Sequence, residues 1–242
     1  GFTEIFVPKE NAMEAALVRG ITVYPVENIS DLIEHLHETK LKRKDGGAGE
    51  MVLKKEIMPQ PPTEINFLNK TANIDMRDVR GQEGAKRGME IAAAGRHNIA
   101  LFGPPGTGKT MLARSFVGIL PPLTFEDALE VTGIHSVAGT LSETLITHSP
   151  FRSPHHSSSY VSIIGGGAFP KPGEVTLAHR GVLFLDEFPE FEKRVLESLR
   201  EPLEDNVVSI SRAKGRALFP SNFILIAAMN PCPCGFRGST LK

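Results

Sequence analysis

Tryptophan is absent from this 242-residue chain, cysteine occurs only twice, and neither sign of charge is in excess. Two cysteines cannot build a disulfide framework, so a reducing compartment, the cytoplasm, is the expectation. The net charge of −1, from 27 basic against 28 acidic residues, offers no global attraction for nucleic acid. Any such binding must come from a local patch. The longest strongly apolar run, Phe223 to Met229, is seven residues, far short of the roughly 20 that a membrane helix needs. The opening residues lack the pattern of a signal peptide, and no internal repeat is visible. What is present is an ordinary globular balance: 40% hydrophobic and 23% charged residues argue against wholesale disorder.

Residues 1–38 read as a short α/β piece. Ile5-Phe6-Val7 is strand-like up to Pro8, and Ile21 to Tyr24 is strand-like up to Pro25. Glu10 to Arg19 has a helical pattern, with Asn11 as a candidate cap and Met13, Ala16 and Leu17 on one face. Asn28 to Glu38 has another, with Ile29, Leu32, Ile33 and Leu36 at helical spacing. So few elements cannot bury a sizeable core, and the piece reads as the end of a larger domain. Residues 39–63 are basic, then Gly-rich, then Pro-rich, the composition of a linker. From residue 64 the pattern predicts helices at Gln82–Gly95, Lys109–Leu120, Phe125–Val131 and about Glu190–Glu204. It predicts continuous apolar strands at Asn98–Phe102, Val182–Leu185 and Phe223–Met229. Such strands separated by helices indicate a parallel sheet covered on both faces.

Three motifs carry chemistry. Gly103-Pro104-Pro105-Gly106-Thr107-Gly108-Lys109-Thr110 matches the G-x-x-x-x-G-K-[ST] phosphate loop, between a predicted strand and a predicted helix. Gly106 and Gly108 free the backbone to turn its N–H groups toward phosphate oxygens, and the helix start adds its positive dipole end. Lys109 would reach the β- and γ-phosphates of ATP, and the Thr110 hydroxyl would coordinate Mg²⁺. Val182 to Leu185 then delivers Asp186 and Glu187: the first to hold Mg²⁺, the second to act as general base on water. Phe223 to Met229 ends in Asn230, which either orients that water and senses the γ-phosphate or caps the turn before Pro231. The expected nucleotide contacts run from Gly103 through Met111, with Asp186.

These elements in this order resemble the AAA+ ATPases, a P-loop NTPase fold. Asp78-Val79-Arg80-Gly81-Gln82-Glu83 fits the resemblance, which makes Val79 and Gly81 candidates for the base pocket. Arg152-Ser153-Pro154-His155-His156, Ile164 to Gly167, Pro172 to Gly181 and Asn230 to Gly235 narrow it to the ComM/YifB family of magnesium-chelatase-like AAA+ proteins. Residues 1–38 are similar to the end of the Lon-protease-like domain that precedes the ATPase in that family. The resemblance implies residues 1–38 as a Lon-like remnant, 39–63 as linker and 64–242 as the AAA+ core without its lid. Family members are about twice as long, so the chain reads as a middle fragment. The lid, the sensor-2 arginine and the trans-acting arginine finger would follow Lys242. A missing arginine finger is worth roughly 10³–10⁵ in rate, so nucleotide binding with slow hydrolysis is expected. The implied function is a hexameric motor on DNA, a helicase or branch-migration enzyme in transformation or recombination. A chelatase-type motor that inserts metal into porphyrin with partner subunits, and a protein-remodelling ATPase, are the alternatives.

Other features allow two readings each. Asn206 to Pro220 reads as a hairpin with Arg212, Lys214 and Arg216 near its tip. Hairpins at this place face the ring pore in the chelatase and helicase branch, so the cations could track a nucleic-acid backbone or simply deter edge pairing. His155-His156 and Cys232-x-Cys234 invite a metal reading, but C-x-C is poor spacing for a zinc knuckle. Ser153 to Gly167, rich in Ser, Gly and His, resembles the family's helix-2 insertion, which could project into the pore; a loop of that composition could also simply be mobile.

Overall fold

The computed structural model describes residues 2–36, 56–64, 67, 74–167, 170–212 and 215–232. The chain divides into two compact units, 1–66 and 67–242. The first holds β1 (Glu4–Pro8), α1 (Ala12–Ala15), β2 (Thr22–Val26) and α2 (Ile29–Leu36). The second holds α3 (Glu83–Gly95), β3 (Ile99–Phe102), α4 (Lys109–Phe116), α5 (Phe125–Ala138), β4 (Phe151–Arg152), α6 (Tyr160–Ile164), β5 (Gly165–Gly166) and β6 (Lys171–Pro172). It continues with α7 (Glu174–Leu177), β7 (Val182–Leu185), α8 (Lys193–Ser198), α9 (Arg200–Asp205), β8 (Val207–Arg212), β9 (Gly215–Pro220) and β10 (Ile224–Met229).

In the first unit β1 and β2 pair in parallel, Ile5 opposite Val23 and Val7 opposite Pro25. Both strands run into the prolines that the sequence pattern places just beyond them. In a two-stranded sheet an unpaired edge is always available for a residue without an N–H. The helix expected over Glu10–Arg19 is one turn, α1, entered through a 3₁₀ turn at Lys9–Asn11, and Asn11 makes no side-chain cap. Ala12, Ala16 and Val23 form its small core, whereas Met13 is exposed. The predicted apolar stripe of α2 also faces outward, with Ile29, Ile33 and Leu36 all more than half exposed. Part of the expected linker belongs to this unit. The Gln60 N–H donates to Val23 O (2.8 Å), Thr63 Oγ1 to Met13 O (2.8 Å) and the Ile57 N–H to His35 Nδ1 (3.2 Å). Proline holds itself and its neighbours extended, the backbone state an antiparallel bridge requires. Residues 39–55 lie outside the described residues.

The second unit is built on a four-stranded parallel sheet in the order β3-β10-β7-β4. Every residue of β7 is fully buried, and β10 is buried through Ala228. Side chains alternate along a strand, so each central strand feeds two cores. Val182, Phe184, Ile224, Ile226 and Ala228 pack with Met89 and Ala92 of α3 and Leu112 and Phe116 of α4. Leu183, Leu185 and Leu225 pack with Ile163 of α6, Val195 of α8 and Val208 and Ile210 of the hairpin. Helices therefore cover both faces, which is why these strands read as unbroken apolar runs. A buried Phe184 contributes roughly 1.5–3 kcal/mol by this burial.

Three helices of the second unit depart from expectation. The one predicted over Glu190–Glu204 is a 3₁₀ turn, Phe188–Glu190, followed by α8 and α9. Phe191 and Glu192 are extended, and Pro202 has no N–H for the Ser198 carbonyl and crowds it. The α4 helix gives way at Phe116 to a 3₁₀ turn ahead of Pro121. By contrast α5 runs seven residues past Val131 to Ala138, between a Thr124–Asp127 capping box and Gly139 in the left-handed conformation.

Two buried histidines tie α5 to its surroundings, His179 to the foot of β10 and His135 to α7. His179 Nδ1 accepts from the Asn222 N–H at the foot of β10 (3.0 Å), so Nε2 carries the proton and donates to Glu130 of α5 (3.0 Å). Burial pushes the His179 pKa below its ordinary 6.5, with Glu130 opposing the shift in part. Burial likewise lowers His135, whose Nε2 lies 3.2 Å from Leu177 O. Both imidazoles are thus neutral in the fold, whereas the unfolded chain takes up protons below about pH 6.5. Their contribution to stability is full above that value and is lost as pH falls. The urea midpoint should therefore fall between about pH 7 and pH 5.5. His179→Ala should cost about 1–3 kcal/mol at neutral pH by stranding its partners, and should flatten the acid slope. Equal slopes in variant and parent would show that His179 does not carry it.

Candidate nucleotide-binding site

The parallel register brings the C-terminal ends of β3, β10 and β7 side by side. Met229 is opposite Phe102 and Ala227 opposite Leu185. The loop after β3 is joined directly to the neighbouring strand by Gly103 N–H donating to Met229 O (3.3 Å). Gly106 and Gly108 have φ of 78° and 82°, values that side-chain-bearing residues resist. Gly108 ends the loop as the N-cap of α4, and the first ladder bond of that helix is Leu112 N–H to Gly108 O (2.9 Å). The N–H groups of Lys109, Thr110 and Met111 precede that bond, as helix geometry requires at any N-terminus. Within the loop Thr107 Oγ1 donates to Pro104 O (2.9 Å), and Gln82 Nε2 of the α3 cap donates to Thr107 O (3.3 Å).

The charged and polar groups converge on this loop. Lys109 Nζ donates to Gly103 O (2.7 Å), Pro104 O (2.9 Å) and Asn230 Oδ1 (3.1 Å). The ammonium is thus held by three neutral acceptors that anionic phosphate oxygens would replace at a gain, because charge-assisted bonds are the stronger. Asn230 is placed on Lys109 rather than only at a turn before Pro231. Thr110 Oγ1 donates to Asp186 Oδ2 (2.9 Å). A hydroxyl and one carboxylate at a single point are hard oxygen donors, and they fit Mg²⁺ completed by phosphate and water. Among the described residues no group of three or more His, Cys, Asp or Glu could hold a metal. A protein-only cage is therefore not formed there, and Cys234 lies outside the described residues.

Glu187 sits at the same sheet end but faces elsewhere. Its backbone is left-handed (φ 53°, ψ 42°) and its N–H donates to Asp186 Oδ1 (3.0 Å). Its carboxylate pairs with His156 Nδ1 (2.9 Å). The sequence motif containing His156 was visible, but no spacing rule links it to Glu187. That pair and the Gln82–Thr107 bond are contacts that only the fold makes.

A cleft of about 610 Å³ extends from the loop along α3 and β3, lined among others by Gln82, Gly88, Ile99, Thr107 and Lys109. Neither base-pocket candidate lines it. Val79 is buried in the core with Met89 and Phe116, and Gly81 is a left-handed turn residue (φ 65°). The remaining candidates lie on the hairpin. Arg212 pairs with Gly215 and Ser211 with Arg216 in the β8–β9 backbone register, and Lys214 lies outside the described residues.

Residues 75–242 match the model of a family described as magnesium chelatase, subunit ChlI. The chain is 44% identical to the competence protein ComM of Haemophilus influenzae, over 98% of this chain and 44% of that protein. It is 54% identical to the YifB protein of Salmonella typhimurium, over 72% of this chain and 35% of that one. It therefore spans less than half the length of these relatives. A solved complex between subunits BchI and BchD of magnesium chelatase contains a chain of the same fold. That likeness has a TM-score of 0.52 at 23% identity and covers 64% of this chain and 54% of the other.

If the loop is a phosphate site, Lys109→Ala should weaken binding of a fluorescent ATP analogue by at least about 10-fold, the loss of one or more charge-assisted bonds. Thr110→Ala should weaken it chiefly when Mg²⁺ is present. Unchanged affinity in Lys109→Ala would remove the assignment.

Proposed function

The chain belongs to the magnesium chelatase ChlI family, and from that membership we propose that it binds ATP with Mg²⁺ and hydrolyses the γ-phosphate. The observation that carries this reading is the convergence of Lys109, Thr110, Asp186 and Asn230 on one glycine loop. The loop N–H groups and Lys109 would hold the β- and γ-phosphates, Lys109 exchanging its carbonyl partners for phosphate oxygens. Thr110 and Asp186 would hold Mg²⁺, whose role is to neutralise charge developing on the phosphate oxygens. Asn230, already bonded to Lys109, would orient the attacking water. Glu187 takes that water's proton as oxygen attacks the γ-phosphorus and the bond to the β-phosphate oxygen breaks, leaving ADP and phosphate. Gly103–Gly108 and Met111 supply backbone contacts.

We further propose that the work is done on DNA by a ring of copies, and that Arg212, Lys214 and Arg216 contact the phosphate backbone.

 This rests on the similarity to ComM across nearly the whole chain and on three cations within five residues of a hairpin tip. The chelatase-type alternative, a motor for metal insertion with partner subunits, is favoured by the family match itself. Residues 1–38 are read as the end of a Lon-like domain, and residues 39–63 as the linker to the ATPase core. A cytoplasmic site of action accords with the two-cysteine composition, and no helix among the described residues is long and apolar enough to cross a membrane.

Glu187→Gln should retain nucleotide affinity and lower kcat by about 10²-fold or more, the usual contribution of a general base. Turnover at the parental rate would exclude Glu187 from that role. In the full-length protein, DNA should stimulate ATP turnover. Changing Arg212, Lys214 and Arg216 together to Ala should weaken single-stranded DNA binding and reduce its log–log salt slope by up to about 2. An unaltered slope would dismiss the hairpin as the contact.

A further inference from the structure

We propose that Gln82 is a positioning residue for the phosphate loop: its side-chain amide holds the peptide between Thr107 and Gly108 so that the Gly108 N–H faces the phosphates. The inference rests on the ATPase reading above. Gln82 Nε2 donates to Thr107 O (3.3 Å). A carbonyl can only accept, so the NH₂ end of the amide is the one that faces it. In a trans peptide the C=O and the N–H point in opposite directions. A Thr107 carbonyl drawn toward Gln82 therefore turns the Gly108 N–H away from Gln82. There it joins the N–H groups of Lys109, Thr110 and Met111, which precede the first ladder bond of α4.

The loop needs such a hold. Glycine adopts positive and negative φ about equally readily, so Gly108 (φ 82°) does not by itself decide which way its peptide faces. Gly106 (φ 78°) leaves the other side of Thr107 equally free. The residue between them is fixed from outside the backbone. Its hydroxyl donates to Pro104 O (2.9 Å) and secures the side chain, and the Gln82 bond secures the peptide that follows. A half-turn of that peptide would present a carbonyl oxygen where an anionic phosphate requires a donor.

Gln82 is anchored well enough to do this. Its carbonyl accepts from the Lys86 N–H (2.9 Å), the first ladder bond of α3. Met89, Ala92 and Ala93 of that helix are buried in the same core as Leu112 and Phe116 of α4. The two ends of the contact thus belong to one packed body. The backbone of Gln82 is left-handed (φ 59°, ψ 34°), a state that residues with side chains rarely adopt and that Asn adopts more readily. Asparagine or glycine would serve the turn before α3 as well or better. The longer amide is what reaches Thr107.

The test is the affinity of the full-length protein for a fluorescent ATP analogue and, by competition, for inorganic pyrophosphate. The thermal midpoint of the nucleotide-free protein controls for folding. Gln82→Asn suits the left-handed backbone but is one methylene short, and Gln82→Met keeps the length and lacks the donor. Each should weaken both ligands alike by about 3–10-fold, the loss of one hydrogen bond, with or without Mg²⁺. The thermal midpoint of Gln82→Asn should stay at or above the parental value, an outcome that separates the hold from a role in stability. Parental affinity for both ligands in either folded variant overturns the proposal. So does a loss confined to the ATP analogue, which would make Gln82 a contact to the base. If Gln82→Asn does not fold, Gln82→Met carries the test with the same expected loss. Failure of the parent reading is distinguishable. Unchanged affinity in Lys109→Ala would remove the phosphate site itself, whereas binding that needs Lys109 and ignores Gln82 would remove only the hold.

Discussion

The insertion of β10 between β3 and β7 is the constraint on which the rest of the second unit depends. In a parallel sheet all C-terminal ends lie at one edge, and strand order decides which of them are neighbours. Because β10 is central, Asn230 stands between the phosphate loop and the carboxylate pair, where it meets Lys109. Because β7 and β10 are buried on both faces, these ends are held by two cores rather than one. Rigid strands thus supply the geometry, and the loops beyond them supply the polar groups. At the opposite edge, a Cβ at Gly181 would run into the backbone of Pro150, so the start of β7 also requires close backbone approach.

The two carboxylates that follow β7 show how one short sequence can serve two purposes. Asp186 is coupled to α4 and Glu187 to the segment after β4, so the pair spans the sheet edge. At this edge Lys109 is satisfied by three neutral oxygens and Glu187 by an imidazole. Far from this edge, the His179–Glu130 bond and the Arg180 contacts to Asp127 (2.9 Å) and Glu130 (3.2 Å) fasten α5 to the foot of the sheet. Neutral buried imidazoles do there what a further apolar contact would do, at the expense of acid sensitivity.

Much of the fold was legible because its strongest signals are local. Unbroken apolar runs at Val182–Leu185 and Ile224–Met229 announce strands buried on both sides, and the glycine loop announces its own strand-to-helix setting. Boundaries were less legible where tertiary contacts or a single proline intervene. Pro202 splits a periodic segment into α8 and α9, and residues 56–64, linker-like in composition, are captured by Val23 and Met13. The apolar spacing of α2 points to a helix, and Ile29–Leu36 forms one, yet Ile29, Ile33 and Leu36 face solvent. Periodicity says that a stripe exists, not what covers it.

The sequence by itself determined the glycine-loop motif between a strand and a helix, the Asp186–Glu187 pair and the parallel α/β class, because each depends on residues adjacent in the chain or on the pleat of one strand. Only the tertiary structure decided that Asn230 contacts Lys109, that Thr110 contacts Asp186, that His156 contacts Glu187 and that Val79 belongs to the core. Those pairings join residues from different strands, and strand order and register follow from the burial of whole faces, which no local pattern encodes.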